Sequence, residues 1–161
     1  MKKIIFLLLL VSLFISCGEK EVDISKKQVR NGIIYVINGD QPFSGKFIGK
    51  YDNGQIKISE QYKNGEPDGT QISYYSNGQI NEKLDYQDGK PVGEFVKYYE
   101  NGSIAYTGKY ENGLKQGDWV LYGENKQPLV TKVYKDGQLI NITQHVVDVE
   151  GIKAKFESLF N

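Results

Sequence analysis

Glycine recurs at a fixed interval of 24 residues through the middle of this chain. One series is Gly45, Gly69, Gly93 and Gly117, and a second is Gly65, Gly89, Gly113 and Gly137. Tyrosine keeps the same interval at Tyr62, Tyr86, Tyr110 and Tyr134. Self-similarity over four periods indicates a repeat architecture. Because repeat arrays present extended surfaces, this pattern favours a binding or spacing module over an enzyme.

Each repeat predicts one β-hairpin, with units that begin at residues 45, 69, 93 and 117. The dipeptides Asn53-Gly54, Asn77-Gly78 and Asn101-Gly102 are strong turn signals, since both residue types tolerate positive φ. Longer loops are predicted near 64–69, 88–93 and 112–117. The segments between are rich in Ile, Val and Tyr, as strands are. The predicted fold class is all-β: a single-layer twisted antiparallel meander of 24-residue hairpins over residues 32–147, with a short C-terminal capping helix.

The alternation of side chains leaves two possible sheet faces open. Ile56, Ile58 and Tyr62 fall on one side of the second strand. The first strand is apolar on both sides. A two-residue turn would pair Tyr51 with Ile56, whereas a three-residue turn pairs Lys50 with Ile56, and one residue of slip exchanges the faces. We favour the three-residue turn, which gathers more aliphatic side chains together. The remaining aromatic side chains either shield the sheet or contact a protein or glycan, and the candidate binding residues are Phe47, Tyr51, Tyr75, Phe95, Tyr99 and Trp119.

The third unit carries a recognisable motif. Its residues Gly93-Glu94-Phe95-Val96-Lys97-Tyr98-Tyr99-Glu100-Asn101-Gly102 follow the pattern G-x-[FW]-x-x-Y-Y-x-N-G, and Gln41-Pro42-Phe43-Ser44-Gly45 leads into the first unit. This pattern resembles the MORN repeat variant of the bacterial family labelled YwqK-type antitoxins, over roughly residues 32–140. The second unit departs at Gln71, and the fourth departs at Gly123, Lys126 and Pro128. The resemblance implies a hairpin array and, by the family label, an antitoxin.

The start of the chain predicts export. Lys2 and Lys3 precede an apolar run, residues 4–15, that is shorter than the roughly 20 residues a membrane-spanning helix needs. The segment Phe14-Ile15-Ser16-Cys17 resembles a bacterial lipoprotein cleavage box. That resemblance implies a signal peptide over 1–16, lipid on Cys17, a flexible lipidated tether over 17–31 and attachment in the cell envelope, at the outer membrane because Gly18 follows the cysteine. The alternative is an ordinary signal peptide with a chance cysteine.

The end of the chain changes period. Residues 139–147 predict a final strand, and 148–161 predict an amphipathic helix with Asp148 as N-cap. Its apolar stripe consists of Ile152, Phe156, Leu159 and Phe160. We expect this helix to cover the open edge of the array; the alternative is a helix that binds a partner.

Composition and motifs argue against several function classes. The chain has 20 Lys+Arg and 20 Asp+Glu, so no basic field attracts nucleic acid. The only histidine, His145, is expected on the surface of the final strand without a second metal ligand. We expect no catalytic residue, metal or cofactor. The sequence therefore predicts a non-enzymatic, lipid-anchored envelope protein that binds a protein partner or serves a structural role, with an antitoxin or immunity-type protein as the alternative.

Overall fold

The computed structural model describes residues 20–145 and 149–160. The predicted signal peptide, the predicted lipid site Cys17 and the predicted Asp148 N-cap lie outside these residues. The described elements, in chain order, are β1 Glu21–Asp23, a 3-10 turn Ile24–Lys26, β2 Lys27–Arg30, β3 Ile33–Val36, β4 Gly45–Lys50, β5 Ile56–Lys63, β6 Glu66–Pro67, β7 Gly69–Tyr74, β8 Ile80–Gln87, β9 Lys90–Tyr98, β10 Ile104–Glu111, β11 Leu114–Tyr122, β12 Pro128–Lys135, β13 Gln138–Gln144 and α1 Val149–Phe160.

The strands confirm the predicted meander. One eleven-stranded sheet has the order β1-β4-β5-β7-β8-β9-β10-β11-β12-β13, with β6 pairing beside β5. From β4 to β13 every pairing along this path is antiparallel, whereas β1 runs parallel to β4. Strands β2 and β3 form a separate two-stranded sheet. The single exception to the antiparallel pattern thus comes from residues that precede the repeats.

The turn inside each repeat has the expected three-residue geometry. In the first unit the amide of Tyr51 donates to the carbonyl of Gln55 at 2.9 Å, and the amide of Gly54 donates to the carbonyl of Tyr51 at 2.9 Å. Gly54 has φ +84°, a conformation that glycine adopts without steric cost. Lys50 therefore opposes Ile56, as predicted for the three-residue turn.

The turns between repeats are tighter than predicted. Asn64 and Gly65 have φ values of 51° and 81°, and the pairs Asp88-Gly89, Asn112-Gly113 and Asp136-Gly137 also have positive φ at both residues. This geometry belongs to the two-residue type I′ turn, whose twist suits a hairpin. The predicted longer loops near 64–69, 88–93 and 112–117 were therefore wrong. Gly93 and Gly117 lie inside strands β9 and β11 instead.

A bulge in the second strand of every unit decides which side chains share a face. Lys50 opposes Ile56, but Gly49 opposes Ile58, so Lys57 is an extra residue in β5. Equivalent register shifts leave Asn81, Ala105 and Leu129 as the extra residues in the later units. Because side chains alternate along a strand, the bulge places Ile56 and Ile58 on opposite faces. The prediction that these two isoleucines share a face was wrong.

The two faces can be traced across the whole sheet from directly opposed residues. We call one the covered face, and the row of opposed residues that crosses it is Gly49, Ile58, Ser73, Glu82, Lys97, Tyr106, Leu121, Val130 and Gln144. We call the other the open face, and its row is Ile48, Ser59, Ile72, Lys83, Val96, Thr107, Val120, Thr131 and Thr143.

Two buried clusters lie on the covered face. The first contains Ile34, Phe43, Phe47 and Tyr62 and is closed by the β2–β3 hairpin. The second contains Leu84, Phe95, Tyr106, Trp119, Leu121 and Val130, and α1 packs on it through Ile152, Phe156 and Leu159. In the order of the strands Gln71 of unit two, which replaces an aromatic residue, lies between them, while Leu84 of the same unit belongs to the second cluster. The covered face therefore carries a core at each end of the array.

The segment predicted as a flexible tether, 17–31, is folded in its described part. Residues 21–23 form β1, and 27–30 form β2. Val22 and Ile24 pack against the Phe47 cluster, and the Lys27 ammonium lies 2.5 Å from the Glu60 carboxylate. The tether prediction was wrong for these residues because a few apolar side chains within a polar segment find a buried surface to join.

Helix α1 covers a face of the sheet rather than its edge. The Phe156 ring meets Tyr106 edge-on with centroids 5.9 Å apart, and Lys155 pairs with Glu124 at 2.7 Å. All seven residues of the edge strand β13 remain exposed, so the expectation that the helix shields this edge was wrong. Within the described ranges, no helix is long and apolar enough to cross a membrane.

Candidate functional site

Three of the six predicted binding residues are core residues of the covered face. Phe47, Phe95 and Trp119 are 0%, 7% and 1% exposed. The Phe95 ring stacks on Trp119 with centroids 5.6 Å apart. The register shift at each bulge brings this aromatic column onto the same face as the repeated tyrosines, beneath the hairpin or α1. Their assignment as a partner surface was therefore wrong.

The other three predicted binding residues link neighbouring repeats. The hydroxyls of Tyr51, Tyr75 and Tyr99 donate to the carbonyls of Tyr74, Tyr98 and Tyr122 at 2.7, 2.7 and 2.5 Å. Asn53 adds a parallel bond from its amide to the carbonyl of Ser76 at 2.9 Å. Each donor thus holds the turn of the following unit in register. These tyrosines have a structural role, and Tyr99 is only 7% exposed.

Replacing Tyr75 by phenylalanine is expected to lower the free energy of unfolding by about 1 kcal/mol. The substitution keeps the ring but removes the donor to the carbonyl of Tyr98. Urea unfolding at neutral pH measures the change, with Tyr74→Phe on the open face as the matched control. Equal stabilities of the two variants and the unmodified chain would contradict a structural role for the Tyr75 hydroxyl.

The open face is the candidate functional surface. Isoleucines recur at one position of three successive units, and Ile56, Ile80 and Ile104 are 40%, 36% and 42% exposed. Their cross-strand neighbours in units two and three are Tyr74 and Tyr98. The half-buried aliphatic row Ile48, Ile72, Val96 and Val120 runs beside them. The β2–β3 hairpin and α1 both lie on the opposite face.

The periodic isoleucines of this surface are recognisable in the sequence, but their pattern led us to group them with the core side chains. The 24-residue interval of Ile56, Ile80 and Ile104 is visible in the chain. The bulge after each isoleucine is not, since an inserted residue leaves no mark in a short alternating pattern.

The covered face also contains a polar groove between the hairpin and α1. A cavity of about 170 Å³ is lined by Ile58, Glu60, Gln71, Ile72, Ser73, Glu82, Leu84 and Tyr86. Glu60 is held by Lys27, and Glu82 lies 3.2 Å from the ammonium of Lys97. These lysines neutralise both carboxylates, which leaves the groove without a net charge from them. These ion pairs fix the positions of the side chains on the sheet, and a carboxylate held by a lysine is a poor proton acceptor.

Histidine and acidic residues form no clustered site in the part of the chain that the structure describes. His145 follows the end of β13, one residue beyond the strand in which it was expected. Its Nε2 lies 2.9 Å from the hydroxyl of Thr131, and its amide donates to the carbonyl of Leu129. Among residues 20–145 and 149–160, no three metal-ligating side chains of the His, Cys, Asp or Glu type lie together.

Tyrosines of the covered face are held in their neutral form. Burial raises the pKa of Tyr62, Tyr86 and Tyr110, and nearby carboxylates add to the effect. Burial raises the pKa of Tyr106 furthest, well above its ordinary value. Because burial disfavours the phenolate, these groups link folding to alkaline pH.

Stability is expected to fall as pH rises above about 10, the ordinary pKa of tyrosine. Below that pH the phenols are neutral in both states and their contribution is fully present. At higher pH the unfolded chain ionises first, so stability is lost progressively as pH rises through the raised folded values. Tyr106 alone contributes a slope of up to about 1.4 kcal/mol per pH unit. Urea unfolding at pH 8 and pH 11 measures the loss, and Tyr106→Phe should reduce it. An unchanged loss in that variant would contradict this assignment.

Comparison with known proteins gives a match that covers three of the repeat units. A family model described as MORN repeat variant matches residues 44–64, 67–88 and 91–112. The comparison with curated proteins gives no match. The matched segments contain, in turn, the hairpins β4–β5, β7–β8 and β9–β10, and the β11–β12 hairpin repeats the same bulge beyond them. Three successive hairpins of this chain therefore match the MORN repeat variant.

Proposed function

We propose that this chain is a non-enzymatic, lipid-anchored protein of the bacterial cell envelope whose repeat sheet binds a protein partner through its open face. MORN repeats are consistent with a structural or binding module, and the covered face is occupied by the protein's own hairpin and helix. The open face is the surface that remains for a partner.

The repeated exposure of isoleucine on the open face carries this proposal. Ile56, Ile80 and Ile104 occupy equivalent positions, so identical side chains recur every second strand, about 10 Å apart. Contiguous exposed apolar side chains on a soluble domain favour protein association. The apolar row is interrupted by Ser59, Lys83 and Thr107. The Thr107 hydroxyl already donates to the carbonyl of Phe95, so Ser59 and Lys83 supply the polar groups of this row that face a partner. A partner with a broad, flat surface matches this pattern.

The described part of the chain begins at the first edge of the sheet, three residues after the proposed anchor Cys17. The carbonyl of Lys20 already accepts a bond from the amide of Lys46 at 2.7 Å. Lys20 follows Cys17 by three positions, which limits the distance between them to about 11 Å. A lipid on Cys17 would therefore hold the array near a membrane. Cys17→Ser is expected to release the protein from membranes and to stop incorporation of labelled palmitate; membrane retention with label would contradict the anchor.

A photo-crosslinking residue tests the binding face. We place benzoylphenylalanine at Tyr98 on the open face and, as the matched control, at Tyr86 on the covered face. Illumination of intact cells should give an adduct of one defined mass from position 98 and none from position 86. The double variant Ile80→Lys with Ile104→Lys should abolish the adduct while the domain stays folded, with a melting temperature lowered by only a few degrees, because substitutions on an exposed sheet face change stability little. An adduct that survives the double variant would contradict the proposed face.

The alternative function is neutralisation of a protein toxin, in the manner of an immunity protein. The resemblance of the repeat pattern to a family labelled as antitoxins suggests it. An anchored antitoxin would act on a toxin that reaches the envelope. Identification of the position-98 adduct by mass spectrometry separates the two functions: a toxin supports the alternative, and a resident envelope protein supports the first proposal.

A further inference from the structure

A large apolar cavity lies between α1 and the sheet, on the face opposite the proposed partner surface. Its volume is about 390 Å³, within the range of small-molecule sites. The sheet contributes Trp119, Leu121 and Val130, and the helix contributes Ile152 and Phe156. Helix α1 thus packs on the third and fourth units, with this cavity between the helix and the sheet.

The sheet wall of this cavity is buried and almost wholly apolar. Trp119 and Leu121 are 1% and 2% exposed, and Val130 is 8% exposed. The indole N–H of Trp119 is the one polar atom buried in this wall without a hydrogen-bond partner among the described residues. An apolar ligand can contact such a wall without displacing any hydrogen bond, so the chemistry of the wall suits an aliphatic chain.

The charged residues that line the cavity give it a net positive charge. Lys132 and Lys153 line it together with Glu157 and the amide side chain of Gln144. The Lys132 ammonium lies 4.8 Å from the centroid of Phe156 and makes no ion pair with any described residue. Burial, and then the charge of Lys132, lower the pKa of the neighbouring Lys115. The local field therefore favours an anion beside Lys132.

We propose that this cavity binds an unbranched aliphatic chain that ends in a carboxylate. The chain lies between Trp119 on the sheet and Phe156 on the helix, and the carboxylate pairs with the ammonium of Lys132. The apolar wall supplies affinity in proportion to the length of the chain, and the lysine selects the anionic head. Binding on this face leaves the open face available, so the cavity is independent of the proposed partner site.

Titration with dodecanoate below its micellar concentration tests this site. Trp119 is the only tryptophan, so its fluorescence reports on the cavity wall directly, and calorimetry gives the affinity. Each added methylene from decanoate to dodecanoate should tighten binding about fourfold. Dodecanol, which lacks the charge, should bind about tenfold more weakly than dodecanoate. Absence of saturable binding, or an affinity independent of chain length, would overturn the proposal.

Variants locate the ligand within the fold. Lys132→Gln should weaken dodecanoate about tenfold and leave dodecanol unchanged, whereas Lys83→Gln on the open face should change neither. Val130→Phe should fill the cavity and abolish binding; Ile152→Phe on the helix serves the same purpose if the first variant fails to fold. Unchanged affinity in Lys132→Gln, or full binding in a folded cavity-filling variant, would contradict the assignment.

Discussion

Replacing Trp119 by alanine is expected to lower the free energy of unfolding by about 3–5 kcal/mol. The indole packs against Phe95, Tyr106 and Tyr110, with ring centroids 5.6, 5.5 and 4.9 Å away. Its removal leaves a cavity at the centre of the second cluster, which the neighbouring strands cannot close without losing their register. Urea unfolding followed by circular dichroism measures the change, since the variant has no tryptophan.

Tyr98→Ala is the matched control for that substitution. Tyr98 is also an aromatic residue of the third unit, but it lies on the open face and is half-buried. We expect its replacement to cost about 1 kcal/mol, within the range of ordinary substitutions. A larger loss from Tyr98→Ala than from Trp119→Ala would mean that the two faces have been assigned the wrong way round.

Replacing Gly108 by alanine is expected to cost about 3 kcal/mol, at the upper end of the range for overpacked cores. Gly108 lies opposite Phe95 in the β9–β10 ladder. A Cβ atom at this position would overlap three carbon atoms of the Trp119 indole, well inside van der Waals contact. The indole must therefore move. Thermal or urea unfolding gives the cost, and a red shift of Trp119 emission reports the displacement.

Gly93→Ala separates crowding from backbone strain. Gly93 has φ +73°, and a methyl group added to it would have no heavy atom within 4 Å, so alanine there meets strain without a clash. We expect a cost of about 1–2 kcal/mol and no change in Trp119 emission. If Gly108→Ala has the smaller effect of the two, or leaves the emission unchanged, the close packing of Trp119 on Gly108 is contradicted.

The sequence was sufficient to predict the repeat and the hairpin meander, and it favoured the three-residue turn within each unit over a two-residue one. Asn-Gly dipeptides mark where a turn lies but do not fix its length, since Asn53-Gly54 lies in a three-residue turn and Asn64-Gly65 forms a two-residue turn. The three-residue turn was favoured because it gathers aliphatic side chains on one face. The turns at Asn64-Gly65 and its equivalents carried the same local signal. The glycines at 69, 93 and 117 suggested longer loops there, because glycine inside a strand at a bulge looks the same in sequence as glycine in a loop.

The assignment of the faces could not be predicted because it depends on the extra residue in each second strand. Without the bulge at Lys57, Phe47 would face away from Tyr62; with it, Phe47 and Tyr62 pack edge-on with centroids 5.9 Å apart. Both arrangements bury an apolar column, so hydrophobicity alone does not choose between them. The surface on which α1 packs could not be predicted either. An amphipathic stripe indicates that a helix packs against something, but it does not indicate which surface.

Acrylamide quenching of Trp119 fluorescence in the full chain tests the central claim most directly. The claim is that the aromatic column lies on the covered face as core, which leaves the open face for a partner. Since Trp119 is the only tryptophan and is 1% exposed, we predict blue-shifted emission and a quenching constant roughly tenfold below that of free tryptophan. Emission and quenching like those of free tryptophan would place the indole in solvent and contradict the assignment of both faces.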